Sequence, residues 1–244
     1  MSIRSITLTA CLALSLIFFL SVELRAEFDK NKGYHSAHIL MNYGLNMIAD
    51  GSSLIMSAQM DVKTTIGQDQ IDYGKETINL GKSFVERALK GPSMVEKHMQ
   101  NTDVENNMML ATHKLGQLML EAAYSPEIFE PELLKNSAVA HNLLAIQLKA
   151  NNALMMSTQG SNMVMTGQAD WSEKYINRFF IDQGRELIGN ARDVIFELLN
   201  GEEMKSFAKK ELLPSEKELY EYTRKQLLNS VDIIESVYRM EFDE

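Results

Sequence analysis

The sequence predicts an all-α protein: an up-and-down helical bundle built from two related three-helix units. Three observations carry this. The prolines fall at Pro92, Pro126, Pro131 and Pro214, and the intervals between them are rich in Leu, Met, Ala, Glu, Lys and Gln, with apolar residues three and four apart. No interval alternates as a strand would. Finally, "IDYGKETINLGKSFVERALKG" at 71–91 aligns without gaps to "IDQGRELIGNARDVIFELLNG" at 181–201, pairing Ile71 with Ile181, Asp72 with Asp182, Gly74 with Gly184, Glu76 with Glu186, Ile78 with Ile188, Leu89 with Leu199 and Gly91 with Gly201.

Taken in order, residues 1–26 read as an export signal. Arg4 precedes an apolar run from Ile6 to Val22 and a short polar end at Ala26, the three-part order of a cleavable leader. The mature chain is expected to start near Glu27. An uncleaved anchor is the alternative, although the run is slightly short for a spanning helix. "LTAC" at 8–11 has the letters of a lipoprotein box, but most of the apolar run follows Cys11, so that cysteine is expected to leave with the signal. Residues 27–125 then form the first three-helix unit and 126–244 the second. The expected location is periplasmic or secreted, with no stable membrane insertion after signal removal.

Helices are expected at 33–60, 67–90, 104–124, 132–166, 171–200 and 215–241, with short helical turns after Gly91 and Gly201. Those two glycines are expected to end their helices in the left-handed cap conformation. Gly74 and Gly184, with Gly81 against Ala191 seven residues on, put small residues on one helix face, where a neighbouring backbone can approach closely. Upstream, "LIMSAQ" (54–59) matches "LMMSTQ" (154–159) at an offset of 100, and downstream "THK" (112–114) faces "TRK" (223–225). Met94 and Met204 recur after the shared glycine as plugs under a turn.

Charge narrows the partners. Removing Arg4, Arg25 and Glu23 from 24 basic and 33 acidic residues leaves 22 and 32, a net charge of −10. A surface of that sign repels nucleic acid phosphates and anionic lipid heads, and no basic stripe interrupts it. A metal ion or another envelope protein is the better partner. With its single cysteine gone, the mature fold holds together without a disulfide.

Histidine and methionine carry the one chemical signal. In "YHSAHILMNYG" (34–44), His35, His38 and Met41 fall at spacings of three and share a helix face. If the first unit runs up, down and up, Met94, His98 and Met99 lie in the turn at the same end, and Met109 and His113 lie low on the third helix. The predicted metal ligands are therefore His35, His38, Met41, His98, Met99, Met109 and His113. An exported chain that lacks cysteine but keeps 15 of its 16 methionines offers the soft ligands suited to copper. At the offset of 100, His35 and His38 face Lys135 and Ala138, and His141 stands where the first copy has Met41. The competing reading is a core in which methionine fills gaps and histidine is hydrogen-bonded.

Other chemistries find less support. The Glu-x-x-His pairs of a di-iron bundle do not occur, and neither does the Cys-x-x-Cys-His of covalent haem. Noncovalent haem or another small ligand in the bundle remains an alternative cofactor reading. There is no Gly-x-Ser-x-Gly elbow and no phosphate-cradling glycine loop. Asp72 and Glu76, repeated as Asp182 and Glu186, keep Lys75 or Arg185 beside them and read as a solvated face. The sequence thus points to an exported binding protein, not an enzyme, with copper capture or buffering as the leading function and a structural or adaptor role as the alternative.

Overall fold

The computed structural model describes residues 33–60, 67–91, 136–168 and 174–242. Six helices run through them: α1 (Gly33–Met60), α2 (Gly67–Lys90), α3 (Ala138–Gln168), α4 (Lys174–Asn200), α5 (Glu202–Lys209) and α6 (Pro214–Phe242). There is no strand among the described residues. The expected helices at 33–60 and 67–90 have these bounds, and the later ones differ by a few residues at their ends. The signal at 1–26, the helix at 104–124, the turn after Gly91 and the boundary between residues 125 and 126 all lie outside the described residues. The helices belong to one compact unit, Tyr34–Glu244.

Local chemistry sets several helix ends. Ser137 caps α3, its hydroxyl accepting the Ala140 N–H at 3.0 Å. Pro214 opens α6 at the position where a missing N–H is harmless, and the Glu216 carboxylate reaches back to accept the Leu213 N–H at 3.0 Å. Gly201 departs from expectation. Its φ of −71° and ψ of 166° are extended, not left-handed, and it serves as the N-cap of α5. A side chain is excluded there because a Cβ would land on the Glu197 carbonyl oxygen. Met204, buried beneath that turn, is the plug its position predicts.

Within each helical hairpin the backbones come together along a seam of small residues. Gly44 meets Gly81 and Gly51 meets Gly74, and a Cβ on Gly51 would stand 2.5 Å from the Gly74 carbonyl oxygen. Gly67 closes the series beside the Ala58 carbonyl. Each step is seven residues, so α1 and α2 run antiparallel with the seam on one face of each. The α3–α4 hairpin repeats the device: Gly160 meets Gly184, Gly167 meets the Asn177 carbonyl, and a Cβ on Gly160 would stand 2.5 Å from the Gly184 oxygen. Ala153 and Ala191, both wholly buried, continue it one step further.

The seam corrects the upstream alignment. Gly160 follows Gly51 by 109 positions and Gly184 follows Gly74 by 110, so the stations of the two hairpins match near the offset of the 71–91 alignment. The offset of 100 is a string match only. Nine residues rotate an α-helix by about two and a half turns, which would put the seam of α3 on its far side. In the seam register "GSSLIMSAQ" (51–59) corresponds to "GSNMVMTGQ" (160–168).

α6 packs on both α3 and α4. It runs parallel to α3, with Ser137 against Glu216 and Gln147 against Thr223. Against α4 it is antiparallel: Arg192 pairs with Glu235 and lies 4.7 Å from the Tyr238 ring centroid, while Arg185 lies 5.5 Å from that of Phe242. Leu45, Ile48, Leu143, Leu154, Ile188, Leu227 and Ile234 belong to the common core.

Candidate functional site

α1 and α3 are apolar on most sides, yet the face they share is polar. His38 Nε2 and Ser161 Oγ share a hydrogen bond of 2.8 Å. Asn42 Nδ2 donates to Asn162 Oδ1 at 2.9 Å, Thr158 Oγ1 donates to Asn46 Oδ1, and Asn151 Nδ2 donates to Ser52 Oγ at 3.2 Å and Ser53 Oγ at 3.1 Å. Rising numbers on α1 meet falling numbers on α3, so these two helices are antiparallel.

The ladder is reciprocal. Asn151 follows Asn42 by 109 positions and Asn162 follows Ser53 by the same number. The Asn42–Asn162 and Asn151–Ser53 bonds are therefore one contact made from opposite sides. The His38–Ser161 bond breaks this symmetry, because in the seam register His38 corresponds to Gln147, which donates instead to Thr223 Oγ1 on α6 at 2.6 Å.

Of the predicted metal ligands, the structure brings His38 and Met41 together. They lie one turn apart on the buried face of α1, 1% and 0% exposed. His35 falls on α1 one turn earlier, and its side chain is not among those described. His98, Met99, Met109 and His113 lie outside the described residues. Among the described residues no three His, Cys, Asp or Glu side chains gather as a metal group. Met56 and Met165 are buried in the core, whereas Met47, Met155, Met156 and Met163 are half-buried.

The seam register also relocates His141. It does not correspond to Met41, whose counterpart is Ala150; it follows Lys32 by 109 positions. Asn151 sits beside Ser52 and Ser53, so His141, earlier on α3, lies toward the Met60 end of α1.

A serine hydroxyl on a histidine ring is chemically a nucleophile–base pair. Here Ser161 is 0% exposed in mid-helix and His38 1%, so no substrate carbonyl can reach the hydroxyl, and the pair acts as a core hydrogen bond. Elsewhere, burial pushes up the pKa of the half-buried Tyr43 phenol. The Glu216 carboxyl is pulled below its ordinary range, first by the Ser137 hydroxyl, which donates at 2.6 Å, then by the Leu213 N–H, with a contribution from Lys210.

Sequence reasoning missed the ladder and the Ser137–Glu216 brace. The signal for the first was present: Asn42, Asn46 and Ser53 recur along one face of α1, and Asn151, Thr158 and Asn162 along one face of α3. No helix among the described residues is long and apolar enough to cross a membrane. No family model, no curated protein and no solved structure matches the chain.

Proposed function

We propose that the protein is a noncatalytic binding protein of the cell envelope, exported by residues 1–26 and built by duplication of a three-helix unit, whose bundle serves as a structural or adaptor element for another envelope protein. The observation that carries this reading is the employment of the two described members of the His/Met cluster. His38 is tied to Ser161 across the bundle, and Met41 is sealed in the core, so both residues serve the fold. Duplication is supported by the two glycine seams with matching stations and by the reciprocal asparagine contacts between α1 and α3. A net charge of −10 without residues 1–26 directs the adaptor toward a partner with a basic surface.

A second reading is capture or buffering of copper by His35, His38, Met41, His98, Met99, Met109 and His113. What favours it is the placement of His38 and Met41 on one face of α1, where a soft ion would find an imidazole beside a thioether. Competition for Cu(I) between the mature chain and a chromophoric chelator tests both. If the chain leaves the chelator's copper untouched while His38→Ala lowers the thermal midpoint, the adaptor reading stands. Stoichiometric removal of Cu(I) from the chelator, abolished by replacing His35 and His113 together, would overturn it in favour of copper.

A further inference from the structure

The glycine seam divides the surface of the second helix in each hairpin. Successive residues of an α-helix stand about 100° apart, so residues just before the seam positions lie on one flank and those just after on the other. On α4 the later flank is occupied: Arg185 and Arg192, which follow Gly184 and Ala191, meet Phe242 and Glu235 of α6. The earlier flank of α4 carries Gln183 and Asn190, both polar and exposed. On α2 the same two stations, just before Gly74 and Gly81, hold Tyr73 and Leu80, large apolar side chains that are 45% and 49% exposed. The stations that α6 covers correspond on α2 to Lys75 and Lys82, so the duplication does not call for a third helix over Tyr73 and Leu80.

With the half-buried Thr77 and Phe84, these residues form a stripe spaced four, three and four, the alternation of a coiled-coil seam. The Thr77 hydroxyl already donates to the Tyr73 carbonyl of its own helix at 2.9 Å, so it asks for no partner across such a seam. Charge is ordered along the same helix. Asp69 stands in the first turn of α2, and Arg87 and Lys90 stand in the last. The four acidic and four basic residues of α2 cancel, in a chain that carries −10 without residues 1–26. A second α2 lying antiparallel matches this pattern, acidic end against basic end, whereas a parallel one sets like charges together. We propose that the outer stripe of α2 is a two-fold docking surface for a second copy of this chain, with α2 antiparallel to its counterpart. About an axis between Thr77 and Leu80, Thr77 meets the partner's Leu80, Tyr73 meets the partner's Phe84 and Asp69 meets the partner's Lys90, each contact occurring twice. The inference goes beyond the adaptor reading, and a failed dimer would leave that reading as it stands.

Sedimentation velocity of the mature chain over a concentration series should show a reversible dimer. Leu80→Asp should abolish it with helical circular dichroism unchanged, because the side chain is half exposed, whereas Asn190→Asp, at the matching station of α4, should leave it intact. Asp69→Lys alone should weaken dimerisation several-fold, since it sets like charges together at both ends of the interface, and Asp69→Lys combined with Lys90→Asp should restore it. A chain that stays monomeric at every concentration would overturn the proposal and leave the stripe to a different protein. So would a dimer that survives Leu80→Asp, which places the interface elsewhere, or a double reversal that fails to restore pairing, which excludes the antiparallel arrangement.

Discussion

His38 and Ser161, 123 positions apart in the chain, meet across the bundle through a hydrogen bond of 2.8 Å in a place that solvent does not reach. A buried imidazole left without a partner would carry an uncompensated desolvation penalty. The bond therefore fixes how α1 lies against α3, in register with Asn42–Asn162 and Asn46–Thr158. Polar contacts of this kind add little net energy when satisfied, yet they penalise every register in which they would be broken.

Removing the imidazole should expose that role. His38→Ala should destabilise the chain by about 1–3 kcal/mol, because the hydrogen bond between His38 and Ser161 is lost and a hole opens beside Met41. His38→Gln should recover part of this loss, since Gln147 occupies the corresponding station on α3. Chemical denaturation of the two variants measures the difference. Equal losses would count against the station-by-station likeness of the hairpins.

The glycine seam makes a contrasting pair. A Cβ on Gly51 would sit 2.5 Å from a backbone oxygen, which cannot rotate away, so Gly51→Ala should force α1 and α2 apart at about 1–3 kcal/mol. Gly189 lies in the interior of α4, and a Cβ there would meet nothing within 4 Å. Gly189→Ala should therefore stabilise by about 0.5–1 kcal/mol through helix propensity alone. Thermal melts of the two variants should move in opposite directions.

Much of this architecture was legible because helix period and glycine spacing are local properties. The 71–91 and 181–201 alignment located α2 and α4 and identified Gly74 and Gly184 as points of close approach, which they are. The register of α1 against α3 was not legible. "LIMSAQ" and "LMMSTQ" resemble one another in composition, but the face a helix presents depends on what lies opposite, and the glycine stations settle that only once α2 and α4 are in place. The polar ladder was hidden for a similar reason. An asparagine within an apolar helix reads as a solvated position until a partner such as Asn162 is found more than a hundred residues away. Gly201 followed the usual preference of glycine for a cap, but its reason is steric exclusion at the Glu197 carbonyl and not a left-handed backbone.

The ladder itself can be probed where it is doubly bonded. Asn151→Ala removes the donor shared by Ser52 and Ser53 and should cost about 1–3 kcal/mol, whereas Asn152→Ala, one residue on and exposed, should be close to neutral, within about 0.5 kcal/mol. Hydrogen exchange of the α1 amides should accelerate in the first variant and not in the second.

Acid stability tests the brace between the starts of α3 and α6. Glu216 accepts from the Ser137 hydroxyl and from the Leu213 N–H, and it lies in the first turn of α6, where the helix dipole favours negative charge. These interactions hold its carboxyl below the ordinary glutamate range. A folded-state value lower than the unfolded one means that the carboxylate's contribution is fully present above the unfolded value and is lost as pH falls through the folded one. Glu216→Gln should therefore lower stability near neutral pH by about 1–2 kcal/mol. The gap between variant and native chain should close as pH falls below the ordinary glutamate range and through the depressed folded-state titration. Ser137→Ala should cost about 0.5–2 kcal/mol near neutrality through the lost cap. It should also shift the native chain's acid limb to higher pH, because the carboxyl loses the partner that most depresses its titration. A pH series of denaturant midpoints measures both effects, and an acid limb unmoved by Ser137→Ala would show that the brace does not set the titration of Glu216.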